Sequence, residues 1–132
     1  MCSDHDHKKP EVLIIDDQPG VRMLLAEAFR SDTTIVKAAS SGDMALEMLK
    51  KGHPDIIFLD LKMPKKDGTE VLDDLKAAGF TGKIVVITGM DTLGFELGDV
   101  DYILHKPFDI AEAVGVLYSL LGLNLNNINM CS

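Results

Sequence analysis

The chain has 132 residues, 46% of them hydrophobic and 26% charged, which gives one core's worth of apolar side chains and no room for a second folded domain. A chain of this length buries roughly two thirds of its unfolded surface, so packing alone can hold it without disulfides or a structural metal. The formal net charge of -8, from 21 acidic against 13 basic residues, excludes a nucleic-acid surface, and no apolar run approaches the ~20 residues that span a bilayer.

Residues 1–10, MCSDHDHKKP, hold no apolar stretch of the signal-peptide kind, and they read as a flexible polar N-terminus of a cytoplasmic protein. Asp4, His5, Asp6 and His7 are metal-ligand types in a hydrated terminus and are given no function. Cys2 and Cys131 sit at the two extremes without C-x-x-C spacing and read as reduced bystanders.

From there, short apolar runs at 12–15, 34–38, 56–59, 84–87 and 100–104 alternate with segments of helical period, which predicts an α/β fold. Three of the runs are continuously apolar, as in strands of a parallel sheet covered on both faces. Val21, Leu24, Leu25 and Ala28 repeat at i, i+3, i+4, i+7 and predict the first helix. Ala45, Met48 and Leu49 predict a second, and Val71, Leu75 and Ala78 a third that Gly79 ends in a left-handed turn. The segment 91–98, with two glycines in eight residues, is the weakest helix. Ile110, Ala113, Val114, Leu117 and Leu121 predict the last helix, opened by a capping box of Asp109 and Glu112.

Chemistry gathers where the strands end. Asp16 and Asp17 follow the first run and Asp60 follows the third, so adjacent first and third strands would bring three carboxylates into the crevice where open parallel sheets bind ligands. Like charges ~4 Å apart repel by about 4 kcal/mol at an effective dielectric near 20, so a cation is required. Oxygen-only ligands with space for waters and phosphate oxygens suit Mg²⁺. The bland alternative is that Asp16 and Asp17 cap the following helix, which leaves Asp60 unexplained. Thr88 closes the fourth run and Lys106 follows the fifth, adding a hydroxyl and an ammonium. Together the five residues describe a phosphoryl site, with Asp60 as the attacking carboxylate, Thr88 and Lys106 on the phosphoryl oxygens, and Mg²⁺ neutralising charge.

The segments IIDDQPG, FLDLKMPKKDG, VITG and HKPFDIAE make the chain resemble the receiver domain of bacterial two-component response regulators, over residues 11–121. DDQPGVRMLLAEAF and KPFDIAE are most similar to the single-domain type of the sporulation phosphorelay. The resemblance implies a flavodoxin-like αβα sandwich with strand order 2-1-3-4-5, a fold whose strand order is a standard doubly wound case. It implies that Asp60 accepts phosphate from a phosphohistidine, and that Asp16 or Asp17, Asp60 and the Lys62 carbonyl ligate Mg²⁺. Thr88 and Lys106 would bind the acyl phosphate, Lys106-Pro107 would be cis, and Gly89 would leave space for the incoming group.

Two departures stand out. The stretch from Thr88 to Lys106 is about four residues shorter than in the sporulation type, roughly one helical turn, so a shortened fourth helix is expected. The family's switching aromatic lies three residues before the lysine, where this chain has Ile103; Tyr102, one residue earlier, faces the other side by strand alternation, so output is expected not to depend on its inward rotation.

The tail at 122–132 is short and polar, so phosphorylation is expected to be read by another molecule: a standalone receiver partnered by a sensor histidine kinase or histidine phosphotransferase, with no nucleic acid and no membrane. Onward transfer and phosphorylation-dependent docking of the chemotaxis type both stand. Lys62 and Met90 are expected to shield the acyl phosphate. Gln18, Pro19 and Gly20 are either a docking site for a four-helix bundle or plain loop surface, and His53 and His105 read as surface. A haloacid-dehalogenase-type phosphatase wants an acid where Lys62 stands, and a flavin module wants a phosphate loop after the first strand.

Overall fold

The computed structural model describes residues 9–31, 33–62, 68–89 and 100–122. Five parallel strands, β1 (Glu11–Ile15), β2 (Ile35–Ala39), β3 (Ile56–Asp60), β4 (Lys83–Thr88) and β5 (Tyr102–His105), form one sheet in the order 2-1-3-4-5. Four helices are described: α1 (Pro19–Phe29), α2 (Gly42–Leu49), α3 (Gly68–Ala77) and α4 (Ile110–Leu120). The expected shortened helix and Met90 fall outside the described residues.

Strand alternation divides the core into two layers. Val12, Ile14, Ile56, Phe58, Val85, Ile87 and Leu104 pack with α1 and α4, and the Phe29 and Phe58 rings lie 4.7 Å apart. Leu13, Ile15, Ile57, Leu59, Ile84 and Val86 pack with α2 and α3. This two-sided burial is why β1, β3 and β4 are apolar throughout except at their end residues, Glu11, Asp60, Lys83 and Thr88. Gly42 lets α2 approach α3 closely: a Cβ there would stand 2.6 Å from Val71 Cγ2.

Three local expectations shift. The second strand starts at Ile35 rather than residue 34, because the Ile35 N–H joins Pro10 O at 2.9 Å while Thr34 forms an isolated bridge with Ser31. The fifth starts at Tyr102, since Asp101 uses its carboxylate to accept the Ile84 N–H at 2.8 Å. Asp109 stands at the N-cap of α4 but makes no side-chain cap bond; its carbonyl instead accepts from Glu112 and Ala113, so the expected capping box is absent. Gly79 behaves as expected, at φ 90°, with Gly79 N–H on Lys76 O and Phe80 N–H on Leu75 O closing α3 in a Schellman motif.

Candidate functional site

Parallel pairing of β1 with β3 puts Ile15 beside Leu59, so the residues that follow, Asp16 and Asp60, leave the sheet side by side. β4 lies on the other flank of β3, and β5 beyond it, with Thr88 opposite His105. The strand order therefore brings Asp16, Asp17, Asp60, Thr88 and Lys106 to one edge.

One carboxylate oxygen from each of Asp16, Asp17 and Asp60 falls within 4.8 Å of the others. Asp16 is fully buried, Asp60 nearly so, and Asp17 half-buried. Asp16 Oδ1 accepts the Gln18 N–H at 2.8 Å, and Asp60 Oδ1 accepts the Lys62 N–H at 3.0 Å. Lys106 Nζ stands 3.3 Å from Asp60 Oδ2. Its backbone N–H donates to Thr88 O at 2.8 Å, and the Lys106-Pro107 bond is cis. Burial pushes the Asp16 carboxyl above its ordinary value; Asp60 and Asp17 add to the rise, while the Gln18 N–H and Lys106 oppose it.

The donor set fits a hard divalent cation. Asp16 Oδ2 and Asp17 Oδ1 are buried with no hydrogen-bond partner, two charged acceptors in an all-oxygen cluster. Carboxylates within 4.8 Å of each other repel by about 3 kcal/mol at an effective dielectric near 20. A cation that bridges them removes both the repulsion and the unmet acceptors.

A family model described as the response regulator receiver domain matches residues 12–117. The chain belongs to the response regulator receiver domain family. This receiver is 34% identical over 121 residues to sporulation initiation phosphotransferase F of Bacillus subtilis, spanning 88% of this chain and 97% of that one. It is 35% identical to response regulator MprA of Mycobacterium ulcerans over 83% of its own length and 49% of that protein's, so it covers about half of this longer relative. Among solved structures, the response regulator TrrA of Thermotoga maritima in complex with Mg²⁺-BeF is similar with a TM-score of 0.74 and 26% identity, covering 84% of this chain and 98% of that one.

The geometry brings Asp16, Asp17, Asp60 and Lys106 of the receiver together, with the Lys62 backbone against Asp60. Thr88, buried, closes β4 at the same edge. The Lys62 side chain is exposed. Gly89 is exposed, and a Cβ there would lie 3.6 Å from Lys106 Cβ. His53 and His105 are exposed, as expected. Sequence reasoning passed over Arg22, whose Nη1 donates to the Asp16 carbonyl at 2.7 Å. A side chain bonded to a main-chain oxygen leaves no pattern in residue types; only the four-residue step from Gln18 along a helix hints at it.

Proposed function

We propose that the receiver accepts a phosphoryl group from a phosphohistidine onto Asp60, in the presence of Mg²⁺, and passes the signal to another protein. The observation that carries this reading is the three carboxylates within 4.8 Å of one another, beside an ammonium 3.3 Å from one of them. An Asp60 oxygen attacks phosphorus and forms a P–O bond. The P–N bond breaks, and its electron pair returns to the imidazole nitrogen. Lys106 sits where an ammonium neutralises the phosphoryl oxygens, and Thr88 supplies a hydroxyl at the neighbouring strand end. Asp16, Asp17, Asp60 and the Lys62 carbonyl would hold Mg²⁺, which when bound offsets charge on the transferring group. The complex of TrrA with Mg²⁺-BeF supports the same reading here.

The relay partner is a sensor histidine kinase or a histidine phosphotransferase, a reading supported by the similarity to the Bacillus phosphotransferase. Gln18, Pro19 and Gly20 are exposed at the start of α1, and Met23 and Leu24 follow at 67% and 54% exposure. Two bare apolar side chains within two turns of the acidic cluster suit a helical partner that presents an imidazole to Asp60. The receiver's chemistry is confined to its own aspartate, and the signal is read by the partner. Among the described residues no helix is long and apolar enough to cross a membrane.

The test is incubation with phosphoramidate or acetyl phosphate and Mg²⁺, followed by intact mass. A gain of one phosphoryl group is expected, lost in Asp60→Asn and with chelator. No gain in the wild-type chain, or an undiminished gain in Asp60→Asn, would overturn the assignment.

A further inference from the structure

All but one of the polar atoms of Asp16 have a protein partner. Its N–H donates to Ala39 O at 3.1 Å, Oδ1 accepts the Gln18 N–H at 2.8 Å, and its carbonyl accepts from Arg22 Nη1 at 2.7 Å. Only Oδ2 lacks a donor. The Arg22 N–H in turn donates to Gln18 O at 3.0 Å, so Asp16, Gln18 and Arg22 are tied in a closed ring of three hydrogen bonds.

The start of α1 has little else to define it. Pro19 at the first helical position pre-sets its own φ, but Gln18 at the N-cap makes no side-chain cap bond and the first turn has no acidic residue. Gly20 adds backbone freedom with nothing within 4 Å of its missing Cβ. A guanidinium reaching back from the second turn therefore supplies the constraint that a cap would otherwise give.

We propose that Arg22 is a positioning residue of the cation site: by holding the Asp16 carbonyl it fixes the peptide after Asp16, and with it the direction in which Asp16 Oδ2 is presented beside Asp17 and Asp60. Without the guanidinium the buried carbonyl loses its donor, the peptide turns toward water, and the Gln18 N–H leaves Oδ1. The carboxylate then no longer has one oxygen engaged and the other open. Arg22 touches neither the phosphoryl group nor the cation; it acts through Asp16. This rests on the reading that the three carboxylates hold Mg²⁺.

The experiment compares the wild-type chain with Arg22→Met and Arg22→Lys by two readouts: Mg²⁺ affinity by titration calorimetry, and amide hydrogen exchange of Gln18 by NMR in metal-free protein. Arg22→Met is expected to weaken Mg²⁺ binding about 10-fold, the scale on which partners of metal ligands act, and to speed exchange at Gln18 by at least about 10-fold, with core amides of β1 and β3 unchanged. Arg22→Lys returns the charge and a donor, and both readouts recover together; recovery of one without the other overturns the proposal. Unchanged Mg²⁺ affinity or unchanged Gln18 exchange in Arg22→Met overturns it too. A wild-type chain that binds no Mg²⁺ while Arg22→Met still frees the Gln18 amide overturns the cation reading and leaves the ring of bonds standing, so the two failures are distinguishable.

Discussion

Lys106 Nζ lies 3.3 Å from Asp60 Oδ2 across 46 residues of chain, one at the end of β5 and the other at the end of β3 with β4 between them. The pair is half-open, with the lysine side chain 29% exposed and the aspartate 1%. An ammonium so placed attracts phosphoryl oxygens and repels a divalent cation. Lys106→Met is expected to slow phosphoryl gain from phosphoramidate about 10²-fold, the scale on which one stabilising donor acts. Its Mg²⁺ affinity should be unchanged or tighter. Intact-mass time courses and calorimetry measure the two; a loss of Mg²⁺ affinity would show that Lys106 serves mainly to hold the pocket's shape.

The Asp16 carboxyl titrates above its ordinary value of 3.8, first because it is buried and then because Asp60 and Asp17 are near. The folded chain thus binds this proton more tightly than the unfolded one. Stability attached to Asp16 falls as pH rises from 3.8 through the raised folded value, and the penalty is complete above it. Asp16→Asn is therefore expected to raise the metal-free thermal midpoint at neutral pH, with the gain vanishing as pH falls toward 3.8. Saturating Mg²⁺ reverses the order, since ligand at ~100 times its Kd adds about 2.7 kcal/mol only to a chain that binds it. Melting curves with and without Mg²⁺ check both signs. An Asp16→Asn chain less stable than wild type without metal would mean that ionised Asp16 is net stabilising.

The sequence exposes the strands best where both faces are covered. Ile56, Ile57, Phe58 and Leu59 are all fully buried, so the run is apolar throughout and its end at Asp60 is sharp. β2 lies at the sheet edge, and its exposed Ile35 and Lys37 weaken that pattern, so its start slips by one residue. At the site, the residue types and the strand ends suffice to collect Asp16, Asp17, Asp60, Thr88 and Lys106. They do not separate Asp16 from Asp17, because the difference lies in hydrogen bonds: Asp16 Oδ1 accepts the Gln18 N–H, and Asp16 sits deeper. Asp109 shows the converse failure, an ideal cap residue whose carbonyl does the bonding.

Two glycines on helices should respond in opposite directions. Gly42 opens α2 with Val71 Cγ2 2.6 Å and Cγ1 3.2 Å from its would-be Cβ, and Val71 is fully buried and branched. Gly42→Ala gains helix propensity yet forces α2 and α3 apart, for an expected net loss of about 1–2 kcal/mol. Gly115 lies inside α4, exposed, with nothing within 4 Å. Gly115→Ala is expected to gain about 0.5–1 kcal/mol. Denaturant midpoints at unchanged slope measure both, and equal effects from the two would discount the close approach of α2 to α3.

Alternation turns Tyr102 and Leu104 to the layer of α1 and α4, where Leu104 is buried in the core, and turns Ile103 to the layer of α2 and α3. Tyr102 itself is 38% exposed. The residue three places before Lys106 is thus an aliphatic one, which cannot offer a hydroxyl to Thr88, and the tyrosine is on the wrong face to replace it. A rotation of Tyr102 about its own χ angles does not change the face from which its Cβ leaves the strand. Tyr102→Ala is therefore expected to leave both the rate of phosphoryl gain from phosphoramidate and the Mg²⁺ affinity within about twofold of wild type, and to leave capture of a phosphorylation-dependent partner intact. Because the side chain is partly exposed at a sheet edge, the stability change is expected to stay near 1 kcal/mol. A folded Tyr102→Ala chain that takes up phosphate normally but no longer engages its partner would place an aromatic switch on this face after all, reached by movement of β5 as a whole.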